Sequence, residues 1–414
     1  MSDLAKRLQP LDILRGIAIG YVIFIHGAIY NFAGFGSLNI SELPLALVVI
    51  GMIGLWGGIF AIYSLLANVL MTLRRDHQTR LTFRTIGYVV LAGLIFMTVI
   101  GTLQTLIFGR WSLGGEVLEL SVVAELMRGQ DLIVHWDKLF TGSGIRTIGL
   151  NLVVVPLVIY AIFRKTGLRD RADTYQLLFG LGLIVMIMSF LRIFFYSGWV
   201  AAVAEQNYLL AGVGSFLLAD PYPGIAYLAY GFFGSGLALV LYYKRLDILK
   251  KYIFSIALAL MAVGAAGVAL NEPSMFGASW FWYFKMILET GLFVMFFVIA
   301  IWLVLTDRKM IGVDSRGLSK IYAGIIALSR ISLTAYMFET LTSEALRYVW
   351  FLVNPDWEMS VRACLLFGAT NLLIWILIAL AWQRKNFKYS VEYGWVWMFR
   401  KFGKRSSKLL AEPL

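Results

Sequence analysis

The chain has 414 residues, of which 60% are hydrophobic and 14% charged, with a mean hydropathy of +0.79 and a formal net charge of +12. This is far more apolar than soluble domains, which excludes a soluble enzyme or nucleic-acid-binding fold and leaves a membrane protein whose basic surplus suits anionic lipid heads. A single cysteine, Cys364, excludes an intramolecular disulfide.

Apolar stretches close to the ~20 residues that cross a bilayer recur along the whole length. Ten are read as spans, at about 11–31, 45–72, 84–108, 147–163, 176–198, 222–243, 252–270, 286–306, 331–352 and 363–383. The first, LDILRGIAIGYVIFIHGAIY, contains Arg15 and His26. Their separation turns a helix through three turns plus about 20° and advances it about 16 Å, so both side chains share a face. It lacks a small-residue cleavage site and opens on Asp12, so it does not read as a cleavable signal peptide. The second span places Ser64 and Asn68 one turn apart, a pattern of helix–helix contacts.

Between the third and fourth spans, residues 109–146 include GGEVLELSVVAELMRGQDLIVHW. Its apolar periodicity through Val117, Leu118, Leu120, Val122, Val123, Leu126 and Met127 predicts a short amphipathic or re-entrant helix, and 199–216 is a second such piece. Arg192 falls in the fifth span, Glu289 in the eighth and Glu339 in the ninth. Trp280, Trp282 and Tyr283 stand where an outer aromatic belt belongs. Residues 315–329 predict an interfacial helix, and the spacing of Glu344 and Arg347 predicts a pair on one helix. The tail segment YSVEYGWVWMFRKFGKR reads as an interfacial anchor. His77 and His135 lie in loops and are expected to be solvated; no two histidines have metal-ligand spacing, so no metal is expected.

Charge sets the orientation. Alternate loops and the tail hold 27 of the 36 basic residues, and the opposite loops hold seven against twelve acids. The positive-inside rule then places both termini in the cytoplasm. The expected fold is an all-α polytopic protein of the inner or plasma membrane, with about ten transmembrane helices and short amphipathic or re-entrant pieces. Its organisation is one transmembrane domain over 1–383 and a basic, aromatic, cytoplasmic interfacial tail over 384–414.

Ionisable groups within hydrocarbon are costly and mark either pairs or sites. Arg15 reads as a snorkelling arginine paired with Asp12 or as a functional cation. His26 reads as a hydrogen-bonded core histidine or as a reactive imidazole. Glu289 and Glu339 are partners of Arg192 or Arg347, or functional carboxylates.

LDILRGIAIGYVIFIHG resembles the opening of YeiB-like membrane proteins, whose first helix reads D-x-L-R-G. GGIFAIYSLLANVL resembles their second-helix segment, although Ala67 and Asn68 stand where the family has Phe-Gly. GGEVLELSVVA resembles a Gly-Asp-Ile-Leu segment with Glu116 at the acidic position. SRISLTAYMFET resembles their G-R-M-x-L-T-x-Y signature through Ser329, Arg330, Leu333, Thr334 and Tyr336, with Glu339 where Gln or His is common. EYGWVWMFRK is similar to their closing G-P-x-E-W-x-x-R. That family is similar in turn to heparan-glucosaminide N-acetyltransferases and to acyltransferase-3 proteins, which have Arg, ten residues and His in the first helix. Arg15 and His26 match this pattern, where YeiB-like proteins usually have Asn at the second position.

The resemblance implies a membrane acyltransferase that moves a short acyl group from cytosolic acyl-CoA, acetyl-CoA foremost, to a hydroxyl or amine of a sugar, glycan or lipid-linked acceptor. Acyl transfer needs a base or a nucleophile, and neutral imidazole is either near pH 7. On this reading His26 and Glu339 are catalytic, Arg15 and Arg330 hold the donor's phosphates, and Glu116, Arg192, Glu289 and Tyr336 face substrate. The expected partners are membrane lipids and the acceptor, without nucleic acid; a homodimer stays open. The rival class is a transporter or exporter whose Glu289, Glu339 and Arg192 couple protons or bind cargo.

Reporter fusions test the topology. A reporter at Leu414 is expected in the cytoplasm and one near Asp356 outside; a tail reporter found outside overturns it.

Overall fold

The computed structural model describes residues 9–33, 57–76, 82–109, 120–274, 277–306, 316–394 and 397. Among them every regular element is a helix. Hydrocarbon offers no partner to a backbone N–H or C=O, and a helix satisfies both within one segment. The helices are α1 Gln9–Ile29, α2 Gly57–Asp76, α3 Phe83–Ile95, α4 Val122–Arg128, α5 Gly144–Phe163, α6 Ala172–Met188, α7 Arg192–Ala204, α8 Tyr208–Leu217, α9 Gly224–Tyr242, α10 Phe254–Leu270, α11 Trp280–Thr306, α12 Arg316–Arg330, α13 Ser332–Val353 and α14 Val361–Gln383.

Helix stands at each of the ten expected stretches, and eight segments among the described residues are long and apolar enough to cross a membrane. Of the other two stretches, α2 is described only from Gly57 on, and α13 passes that test jointly with α12, from which it bends by 94°. The chain is a multi-pass membrane protein. Several boundaries differ from expectation, the fourth segment beginning at Trp136 and the seventh at Leu246. The fifth segment runs from Ala172 to Ala204, because α6 continues through a turn at Ser189–Leu191 into α7. Residues 199–204 therefore end a long element, and only α8, which Asn207 caps by accepting from the Leu210 N–H, is a separate short helix. The eighth segment begins at Trp280, since Trp280 and Trp282 extend the apolar helix past the expected start.

The described chain forms two compact units. The first draws on Met1–Gly54, Leu106–His135 and Ile299–Leu414. In it α1 packs along α14, α12 and α13, and α4 packs on α13. Glycine makes the α1–α14 approach close: a Cβ on Gly27 would lie 3.1 Å from the Gly368 Cα, and one on Gly368 would collide with the Phe24 carbonyl. Membrane helices without a hydrophobic driving force rely on such small-residue contacts. Trp357, Cys364 and Phe367 form a buried cluster, with the Trp357 and Phe367 rings stacked at 4.5 Å.

The second unit draws on Leu55–Thr105 and Trp136–Val298. Its centre is α9, GIAYLAYGFFGSGLALVLY, nearly all of which is buried. Gly234 and Gly236 lie against the Ile62 carbonyl and the Phe179 ring, so α2 and α6 seat directly on the α9 backbone.

Gly368→Leu is expected to separate α14 from α1 at a cost of ~1–3 kcal/mol, as for other overpacked cores. Thermal unfolding in detergent checks this; an unchanged midpoint refutes the contact.

Candidate functional site

The site is organised by the start of α13. The break at Ile331 leaves the first N–H groups of α13 without intrahelical acceptors. Glu392, from the tail, supplies them. Glu392 Oε1 accepts from the Leu333 and Thr334 N–H groups at 2.6 and 3.2 Å, and Oε2 accepts from the Thr334 hydroxyl at 2.5 Å. The Val391 N–H donates in turn to the Thr334 hydroxyl oxygen at 2.9 Å. Burial pushes the Glu392 carboxyl above the usual carboxylate range, against the downward pull of these hydrogen bonds.

Held in this way, α13 meets α1 at two points. The Arg15 guanidinium donates to the Ser332 hydroxyl at 2.8 Å. Further along, His26 Nδ1 lies 2.5 Å from Glu339 Oε1, with side-chain exposures of 20% and 11%. Both contacts advance in the same sense on both helices, so α1 and α13 run parallel. The Tyr30 ring stands edge-on to the imidazole at 5.0 Å, and the Tyr336 ring is 6.4 Å away. From α14, the Trp375 indole donates to the Thr342 hydroxyl at 2.8 Å, and that hydroxyl donates to the Glu339 carbonyl at 2.9 Å. Glu339 Oε2 and the Ser343 hydroxyl, one turn on, are buried without a hydrogen-bond partner.

Chemically this is a carboxylate fixing an imidazole. A hydrogen bond from Nδ1–H to Glu339 sets the tautomer and leaves the lone pair on Nε2, the arrangement of a general base with an orienting acid.

The other expected residues are placed as follows. Arg330 ends α12, its guanidinium 5.5 Å from the Phe387 ring and its Nε buried without a partner. Glu116 lies outside the described residues, as does His77. Arg192, in the second unit, is paired with Asp220 and also donates to the Leu218 carbonyl at 2.7 Å and the Gly277 carbonyl at 3.1 Å. It therefore does not serve Glu289 or Glu339.

Several expected pairings are corrected. Glu289 pairs with Lys285, which the extended start of α11 brings inside the helix, at 2.8 Å. Glu344 faces inward and takes Arg128 of α4 through two bonds of 2.9 Å, while Arg347 turns to Glu358 at 2.7 Å, in place of the expected Glu344–Arg347 pair. His135 is not simply solvated: its Nε2 is 3.3 Å from Glu125 Oε1, because the chain turns back after α4 and the Ile133 N–H donates to Glu125 Oε2. Asn68 donates to the Ser64 carbonyl of its own helix rather than across helices. Trp282 is buried at 2% exposure instead of lying in an aromatic belt, whereas Trp280 is exposed.

Lys285, Arg128 and Glu392 join the expected residues as partners, and only the first two stand at positions that the sequence marks. Lys285 stands i−4 to Glu289, and Arg128 closes a predicted amphipathic helix. Among the described residues no group of three His, Cys, Asp or Glu could hold a metal ion. Compared with known proteins, the chain matches no family model and no curated protein.

Glu392→Ala removes the cap of α13 and is expected to cost ~1–2 kcal/mol. Glu392→Gln keeps an acceptor oxygen where burial already favours the neutral form, and is expected to be nearly silent. Thermal unfolding of both variants reads the difference; equal effects refute the capping role.

Proposed function

We propose that this is a YeiB-like transmembrane acyltransferase of the cytoplasmic membrane, moving a short acyl group from acyl-CoA to a hydroxyl or amine of a sugar, glycan or lipid-linked acceptor. The observation that supports it most is the His26–Glu339 contact at 2.5 Å on the helix face that also carries Arg15. His26 Nε2 takes the proton of the acceptor as its oxygen or nitrogen attacks the thioester carbonyl. Glu339 stabilises the imidazolium so formed. The tetrahedral intermediate collapses, the C–S bond breaks, and the imidazolium returns its proton to the leaving thiolate. The products are an ester or amide and the free thiol of CoA.

Arg15 and Arg330 serve the donor. They flank the break between α12 and α13, Arg15 through Ser332 and Arg330 as the last residue of α12. Phosphates recruit such cations, and with the cytoplasmic placement of both termini the CoA stays inside while its acyl arm reaches toward His26. Tyr336 and the unpartnered Glu339 Oε2 and Ser343 hydroxyl offer polar contacts to the acceptor.

Acetyl-CoA is expected to raise the thermal stability of the purified protein, since it binds only the folded state, and Arg15→Ala to weaken this. His26→Ala is expected to lower transfer by ~10²–10⁴-fold while leaving expression and CoA binding nearly intact. His26→Asn installs the residue usual in YeiB-like proteins. If that variant keeps full transfer activity, His26 is neither base nor acyl carrier. No stabilisation by acyl-CoA of any chain length counts against the acyltransferase reading altogether.

A further inference from the structure

In the second unit, α11 buries a charged pair that the proposed acyl transfer does not use. Lys285 Nζ and Glu289 Oε1 are 2.8 Å apart, with side chains 3% and 5% exposed. Both lie in the membrane-crossing segment Trp280–Trp302. The ammonium is at ion-pair distance but out of line for a hydrogen bond: Nζ and both Glu289 oxygens have no hydrogen-bond partner, and neither does the Trp282 indole nitrogen. Lys285 Nζ sits over the Trp282 ring at 4.0 Å.

Among the described residues, the titratable side chains that α2 and α9 place against this part of α11 are phenols. From α9, the Tyr230 hydroxyl donates to the Met286 carbonyl at 3.3 Å, and its ring meets Phe293 at 6.2 Å. Tyr227 adjoins Tyr230 at 4.9 Å. From α2, the Tyr63 hydroxyl donates to the Phe293 carbonyl at 3.4 Å. From α10, FSIALALMAVGAAGVAL offers no titratable side chain; Gly264 and Gly267 abut Leu288 and Phe284.

This pair holds nothing together. Its members are one turn apart on one helix, so it joins no two elements. Taking two charges out of water without completing their hydrogen bonds leaves their attraction too small to offset desolvation, and an apolar pair would pack as well or better. Charged residues kept within a membrane helix against that cost mark a function.

We propose that Lys285 and Glu289 form an intramembrane proton-exchange site, whose ligand is the proton itself. A small turn of the Lys285 side chain brings an Nζ–H into line with Oε1; that bond then breaks and an Oε1–H bond forms, the electron pair of the former remaining on nitrogen, so ammonium and carboxylate become amine and carboxylic acid. The amine then takes a proton from hydronium, leaving water, to give ammonium beside neutral acid, and release reverses the step. The Trp282 face stabilises the ammonium forms only, because the ring quadrupole attracts the cation and not the amine. The site stands apart from acyl transfer and does not rest on it.

The test is pH-difference infrared spectroscopy of the full-length protein in lipid nanodiscs, across the pH range in which it stays folded. A carboxylic C=O band is expected to grow as pH falls and to be missing in Glu289→Gln. Lys285→Met leaves Glu289 without a counter-charge and protonated throughout, so the band is expected to leave the difference spectrum and persist in the absolute one; this variant also serves if Glu289→Gln misfolds. Glu339→Gln is expected to keep the band. A wild-type difference spectrum without a carboxylic band, or a band unchanged in the Glu289 and Lys285 variants, overturns the proposal and leaves a fixed ion pair.

Discussion

A membrane interior supplies no hydrogen bonds, so each ionisable side chain in these helices must find its partner within the protein. In the first unit that constraint converges on one helix. Along α13, Ser332 receives Arg15, Glu339 receives His26 and Glu344 receives Arg128. Each rung joins α13 to another helix, two to α1 and one to α4. Because the rungs are polar and directional, they fix α13 in rotation and in height, which apolar packing alone does loosely. The helix that orients the imidazole is thus fastened by charge on both sides of it.

Such fastening needs a fixed starting point, and the tail provides it. The chain breaks between α12 and α13, where a bend of 94° exposes backbone N–H groups that the hydrocarbon cannot serve. Glu392 serves them from beyond the last long helix. A residue some 50 positions after the site in sequence therefore sets where the site begins. The second unit follows another logic: α9 is seated through glycines, and the Lys285–Glu289 pair is buried within a single helix.

Much of this was legible in the sequence. Hydropathy located the ten helical stretches, because a membrane helix must be apolar along nearly its whole length. The same apolarity made Arg15, His26, Glu289 and Glu339 conspicuous, and the period of the helix put Arg15 and His26 on one face. What stayed hidden was partnership. Arg128 and Glu392 belong to a loop and a tail by composition, and nothing local to them names a partner 216 or 58 residues away. Lys285 was assigned to a loop because aromatic residues score as weakly apolar, which set the helix start too late. Glu344 and Arg347 had the spacing of a helical pair, but their neighbours in space offered each a better partner.

The parallel course of α1 and α13 has a topological consequence. Where two helices cross the bilayer pointing the same way, both begin on the same side, so the chain between them crosses an odd number of times. Parity is a firmer quantity than a count of spans. Whether a given apolar segment crosses, lies flat or turns back, any revision to the stretch between these helices must add or remove crossings in twos. The ends of α1 and α13 that carry Arg15 and Ser332 thereby share one aqueous compartment, whatever the total.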